Sequence, residues 1–383
     1  MGTARAEQWA ATMRGHDVGD IRLAHRDSAP QLRPTAPVVR ELREQRERDS
    51  LSEGATLAQG AGNRASVEAP DVFRTCFERD RDRILHEATA FRRLAGKTQV
   101  FIFPHDHQRT RLTHALEVAQ VATAIAAGVG ANVSLCEAIA LGHDCGHGPG
   151  GHASEDAFSP YLVEGYNHAV WGADVVLAPL NLCVETLDGI RNHSWSRPAP
   201  GTIEGEIVSW ADRIAYVCHD FEDACHVGIV SPAMLPEELA QAVGTNRRAQ
   251  LHTFITAMVD TAIHHGVIGM DAASADSLSA FRRFNYSNIY MRPASQTQAE
   301  VVIRVLRALV EYFADCPNTL QLNETSDQRY RARVSGNEPL VAGSAEALRA
   351  AVTYVAGMTD KYAFDQATTH LGWRSSDLPI GVG

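Results

Sequence analysis

A histidine followed at once by an aspartate, His143-Asp144, offers one metal ion a neutral imidazole nitrogen and a charged carboxylate oxygen. That mixture suits a divalent cation of intermediate hardness, such as Mn, Fe, Co, Ni or Zn, and tolerates Mg. The dipeptide alone is common; its neighbourhood is not. Gly142–Glu155 reads G-H-D-C-G-H-G-P-G-G-H-A-S-E, which packs three histidines, two carboxylates and five glycines into fourteen residues.

Two further residues complete a candidate single-metal site. His114 taken alone reads as a core histidine, and Asp212 taken alone as a helix-surface carboxylate. With His143 and Asp144 they supply two imidazoles and two carboxylates from three helices. Coordination positions then stay open for water and substrate, as catalysis needs, and a metal there would acidify water and polarise a phosphoryl oxygen. Asp212 gains weight from its helix. At 100° per residue, Ile207, Trp210, Ile214, Val217 and Phe221 fall within an arc of about 80°. Asp212, Tyr216, His219, Asp220 and Asp223 fall within roughly 100° on the opposite side. Three aspartates, a tyrosine and a histidine without a lysine make a poor solvated face and a good metal-facing one.

His147, one turn beyond the ligands, falls near the metal. His152 and Glu155 are spaced i, i+3, so on a helix the carboxylate can bond the imidazole, fix its tautomer and raise its pKa. An imidazole held in that way is a general acid for a leaving oxygen. Gly146–Gly151 matches no Walker loop, because no lysine follows; the glycines allow a tight turn that returns His147 and His152 toward the metal. Arg111, one turn before His114, can hold a phosphate beside the metal. Cys145, between the ligands, reads as a small packing residue.

Helices must position these groups. Helical patterns cover 38–49, Asp80–Ala95 with Asp80 as cap, the stretch carrying Leu112, Leu116 and Ala119, and a helix opened by Ser134-Leu-Cys-Glu137 in the form of a capping box. Others cover 206–226, 236–241, 248–264, 298–313 and 345–358. Polar–apolar alternation is almost absent, so no sheet is expected. The fold class is all-α: residues 1–36, with Pro30 and Pro34, a poorly ordered tail; 37–234 the catalytic core; 235–383 a C-terminal helical lobe packed on it. A net charge of −11 over 383 residues lowers the expectation of nucleic acid as main partner. No apolar run of membrane-span length and no signal-peptide h-region are read. Seven scattered cysteines without C-x-x-C spacing read as free thiols in a reducing compartment, hence a cytoplasmic location.

Several ordered blocks resemble one family. They are Asp80-Arg-Asp-Arg-Ile84, Ala90-Phe-Arg-Arg-Leu-Ala-Gly-Lys-Thr-Gln-Val-Phe101, Arg109-Thr-Arg-Leu-Thr-His-Ala-Leu-Glu-Val118, His143-Asp-Cys-Gly-His147, Gly151-His-Ala-Ser-Glu155, Gly165-Tyr-Asn-His168 and Ala211-Asp-Arg-Ile-Ala-Tyr-Val-Cys-His-Asp220, with a fainter match at Gly357-Met-Thr-Asp-Lys-Tyr362. The chain resembles the HD-domain deoxynucleoside triphosphate triphosphohydrolases, the dGTPase group. The resemblance implies a helical HD fold and metal-dependent hydrolysis of a dNTP to deoxynucleoside and inorganic triphosphate, by attack at the α-phosphorus. It implies His114, His143, Asp144 and Asp212 as metal ligands and His152 with Glu155 as the catalytic pair. His147 and His168 are then phosphate-contacting histidines, and Arg111 a phosphate ligand. Gln99 matches the reader of the sugar 3′-hydroxyl. Tyr216 and Asp220 match positions beside the deoxyribose, where an aromatic ring excludes a 2′-hydroxyl. The family has leucine where Cys145 stands and a Pro-Pro-Phe-like stretch at Gly148-Pro-Gly150, so the base preference stays open.

The competing enzymatic expectation is an HD nucleotidase or phosphodiesterase acting on a nucleoside monophosphate or cyclic nucleotide. A third is a nucleotide-responsive regulator with weak single-stranded nucleic-acid binding. The resemblance also implies a homo-oligomer and an activating nucleotide.

Overall fold

The computed structural model describes residues 2–29, 31–100, 102, 108–320 and 340–379. Pro30 and Phe101, used in the sequence reading, lie outside these. Contacts divide the chain after Val39. In the first unit Gly2–Thr12 is helical, and His16–Val18 pairs antiparallel with Ile21–Leu23. The sequence led us to expect a poorly ordered tail and no sheet. The hairpin turns at Gly19, in the left-handed region at φ 59°, and an Arg22–Asp17 ion pair crosses it. Strands of three residues are too short to reveal themselves by alternation.

From Arg40 onward the named elements are helical. Arg111–Val129 lies at the centre, packed against Val133–Gly142, Ile203–His226 and Arg247–His265. It starts at Thr110, which exchanges capping hydrogen bonds with Thr113, and ends at Gly130 in the left-handed conformation. By length and composition this helix could cross a membrane, contrary to the sequence expectation. Its Ala115, Val118, Val121, Ala122, Ile125 and Ala126 are instead completely buried in the core. Burying each larger aliphatic side chain stabilises the fold by about 1.5–3 kcal/mol.

Two expected caps move. Val133–Gly142 is capped by Asn132, whose side chain accepts from the Leu135 amide, rather than by Ser134. Asp80 does not open a helix. Cys76–His86 begins earlier, at Thr75 with Glu78 as reciprocal cap, and a separate short helix spans Thr89–Arg93. Asp80 is fully buried inside the former, accepting from Arg64 Nη1 at 2.6 Å, Thr186 Oγ1 at 2.6 Å and the Cys183 amide at 2.8 Å. Its carboxylate ties loops together, which a sequence pattern does not distinguish from capping.

A second apolar cluster joins Val302, Leu306, Leu309 and Phe313 of Pro293–Asp315 to Ala345–Ala356 and Asp360–Leu371, and reaches Phe158, Tyr166 and Trp171. Val184–Asn192, Ala272–Asn285 and Asp360–Leu371 are helices that the periodicity did not reveal. Ala272–Asn285 buries only Leu278, Phe281 and Asn285, too few positions to show a 3.6-residue repeat.

Candidate active site

A cavity of about 480 Å³ collects most of the residues singled out from the sequence. Gln99, Arg111, His114, Asp144, His147, His152, His168, Asp212, Tyr216 and Asp220 line it. His143 stands behind this wall, 1% exposed. Three segments supply the four metal-binding candidates. His114 comes from the first turns of the central helix, His143 caps the end of Val133–Gly142, Asp144 follows it, and Asp212 lies mid-way along Ile203–His226.

His114 Nε2 lies 3.0 Å from Asp212 Oδ1, and His143 Nε2 lies 3.7 Å from the same oxygen and 3.4 Å from Asp144 Oδ1. His143 Nδ1 bonds the Ala140 carbonyl at 2.6 Å, which puts its hydrogen on Nδ1 and leaves Nε2 a bare lone pair. That Nε2 is buried without a hydrogen-bond partner. Ligand atoms of His114, His143 and Asp212 fit within 4.8 Å of one another, as do those of His143, Asp144 and His193. An orphaned imidazole nitrogen facing two carboxylates is a donor set that fits a divalent cation. Burial raises the Asp144 carboxyl, but His143, Arg111 and His147 outweigh it and hold the group well below the usual carboxylate range. Burial is likewise outweighed at Asp212, lowered by His114 and His143, so both carboxylates are ionised and ready to ligate.

Arg111 lines the cavity but is 2% exposed, and part of its guanidinium is already engaged. Its Nη1 donates to Asp144 Oδ2 at 2.8 Å and its Nη2 to the Gln99 carbonyl at 3.3 Å, while Nε has no partner. It therefore orients Asp144 as well as facing the cavity. Losing one member of such a buried pair costs about 3–5 kcal/mol.

Glu155 joins two histidines. Its Oε2 meets His152 Nδ1 at 3.1 Å and its Oε1 meets His168 Nδ1 at 2.8 Å, with the His168 amide donating to the same oxygen at 2.9 Å. Those bonds outweigh burial and hold Glu155 well below its ordinary value. With Nδ1 tied to a carboxylate, Nε2 is the free nitrogen of His152, whose side chain is 74% exposed on the cavity rim. His147 stacks on His168 with ring centroids 3.7 Å apart, and burial, Arg111 and His168 push its pKa well down.

At the other end, Arg282 Nε donates to the Tyr216 hydroxyl at 2.7 Å and Tyr290 donates to Asp220 Oδ2 at 2.5 Å. Burial raises Asp220 to about 7. His219 and Asp223, counted on the same face as Asp212, leave the cavity. His219 lies 3.1 Å from Glu117, and Asp223 pairs with Arg109. Angle alone does not show that a neighbouring arginine claims the C-terminal end of the face.

The sequence reading missed His193, Trp195, Arg213, Arg282, Tyr286 and Tyr290 on the cavity wall. His193 is buried, its Nδ1 on the Ile190 carbonyl at 2.8 Å and its Nε2 3.2 Å from that of His168. Arg213 stacks over Trp195 at 3.7 Å from the ring centroid. Arg282, Tyr286 and Tyr290 repeat every four residues, a one-face spacing that could have flagged them.

An HD domain matches residues 111–217, and a phosphohydrolase-associated domain matches residues 268–369. A deoxyguanosinetriphosphate triphosphohydrolase-like protein of Caldanaerobacter subterraneus subsp. tengcongensis is 38% identical, across 85% of this chain and 93% of its own length. Proteins of the same description from Clostridium perfringens (strain SM101) and Desulfatibacillum aliphaticivorans are 36% and 37% identical, over 86% and 74% of this chain and 96% and 86% of their own lengths.

Proposed function

Since the chain belongs to the deoxyguanosinetriphosphate triphosphohydrolase-like family of HD-domain phosphohydrolases, we propose that it hydrolyses a deoxynucleoside triphosphate to deoxynucleoside and inorganic triphosphate. One observation carries this reading. One cavity brings together a His/Asp group that could hold a cation, a carboxylate-linked histidine pair and, at its other end, aromatic rings and paired polar groups suited to a nucleoside.

His114, His143, Asp144 and Asp212 would hold one divalent cation, which supplies Lewis acidity and neutralises phosphate charge. The remaining steps belong to the side chains. Water attacks the α-phosphorus, the bond from that phosphorus to the 5′-oxygen breaks, and the leaving oxygen takes a proton. His152 donates it from Nε2, with Glu155 holding Nδ1 and stabilising the imidazolium. The incoming oxygen keeps one proton on the triphosphate and releases the other to solvent, from which His152 is reprotonated. His147, His168 and Arg111 offer hydrogen bonds to the phosphates, Gln99 and Asp220 to the sugar, and the Tyr216 ring crowds the 2′ position.

Each of the four dNTPs is incubated with the protein and Mn or Mg, and the phosphorus products are resolved by ³¹P NMR. Inorganic triphosphate is expected. Release of pyrophosphate or orthophosphate alone, or turnover only of a nucleoside monophosphate or cyclic nucleotide, refutes the proposal.

A further inference from the structure

Two charged side chains buried outside the ligand set join the region after residue 345 to the turn between His147 and His152. Lys97 is 2% exposed; its Nζ donates to the His147 carbonyl and, at 2.9 Å, to the Ala356 carbonyl. Asp360, also 2% exposed, opens the Asp360–Leu371 helix. Its Oδ1 accepts from the Gly150 amide at 2.8 Å, and its Oδ2 from the Thr98 amide at 2.9 Å and the Thr98 hydroxyl at 2.6 Å.

The turn between these anchors depends on glycines, which hold no conformation by themselves. Gly150 and Gly151 lie in the left-handed region at φ 69° and 64°, and a Cβ on Gly151 would stand 2.4 Å from Arg111 Nη2. Lys97 and Asp360 grip the turn near its two ends, and Thr98 leads directly to Gln99. A buried carboxylate is costly, and an apolar residue would serve packing alone at least as well. Here both oxygens are spent on the turn and on the segment that carries Gln99.

We propose that Asp360 and Lys97 are positioning residues, a clamp through which the C-terminal helices set His152 and Gln99 against the cation site. This rests on the reading of the site given above.

The test uses Asp360→Asn, the milder Thr98→Val, and Thr98→Ser as the conservative rescue. Each variant is assayed for kcat and KM with dNTP and Mn, metal content, and amide hydrogen exchange across residues 146–152. In Asp360→Asn, kcat is expected to fall at least tenfold, with KM within threefold, metal content unchanged and exchange at Gly150 at least tenfold faster. Thr98→Val falls in between, and Thr98→Ser stays within threefold of wild type. The clamp is overturned if Gly150 exchange is unchanged in Asp360→Asn, or if activity falls only in step with lost metal or lost folded protein. Should wild type release no triphosphate from any dNTP, the functional reading fails instead, and the exchange measurement alone decides the clamp.

Discussion

His114 Nε2 and Asp212 Oδ1 lie 3.0 Å apart although 98 residues separate them, and the orphaned His143 Nε2 points into the same space. Asp212 is thus a carboxylate on which the imidazoles of His114 and His143 converge. Asp212→Asn is expected to reduce bound metal from about one ion per chain to a trace, and turnover by more than about 100-fold, since even outer partners of metal ligands are worth 10–100-fold. Metal analysis of the purified variant beside its rate checks this; full metal with no activity would remove Asp212 from the ligand set.

Metal should also stabilise the fold. A cation that binds only the native state adds about 4 kcal/mol at a thousand times its Kd. Titrating Mn into chelator-stripped protein is expected to raise Tm, with no rise in His143→Ala. An equal rise in both would place the stabilising ion elsewhere.

His152→Ala is expected to lower kcat by about 10²–10⁴-fold with metal content intact, the usual worth of a general acid. Glu155→Gln should do likewise, because it releases both His152 and His168. The double variant should be little worse than the worse single one, since the residues act as a unit. Fully multiplicative losses would show that Glu155 works independently of His152.

Asp220 makes a prediction about pH. Burial raises its carboxyl to about 7, against an ordinary value of 3.8. Between those values the native state keeps a proton that the unfolded chain has lost, so the stabilising contribution declines as pH rises through this window. The slope from this one group is at most about 1.4 kcal/mol per pH unit. Asp220→Asn lacks it, so in metal-free melts from pH 5 to 8 the variant should gain on wild type as pH rises. A constant difference would mean that Asp220 is ionised throughout.

His143, Asp144, His147, His152 and Glu155 were legible in the sequence because they crowd into one short segment. Asp212 was legible because a helix has a period, which separates its polar stripe from Ile207, Ile214 and Val217. The capping errors at Asp80 and Ser134 differ in cause. Asp80 serves a buried network, whereas Asn132, two residues before Ser134, takes the cap of that helix.

The local sequence by itself determined a helical chain, a His/Asp set that could hold a metal and a histidine–carboxylate pair, because those depend on spacing along a segment. Tertiary packing alone decided the rest. It turned Arg111 onto Asp144, drew His219 and Asp223 away from the cavity toward Glu117 and Arg109, and brought His193, Arg282 and Tyr290 to its wall. It also set Asp360 against Gly150, 210 residues away. A short-range pattern carries no record of such pairings, because each partner satisfies a buried polar group that exists only once the core has closed.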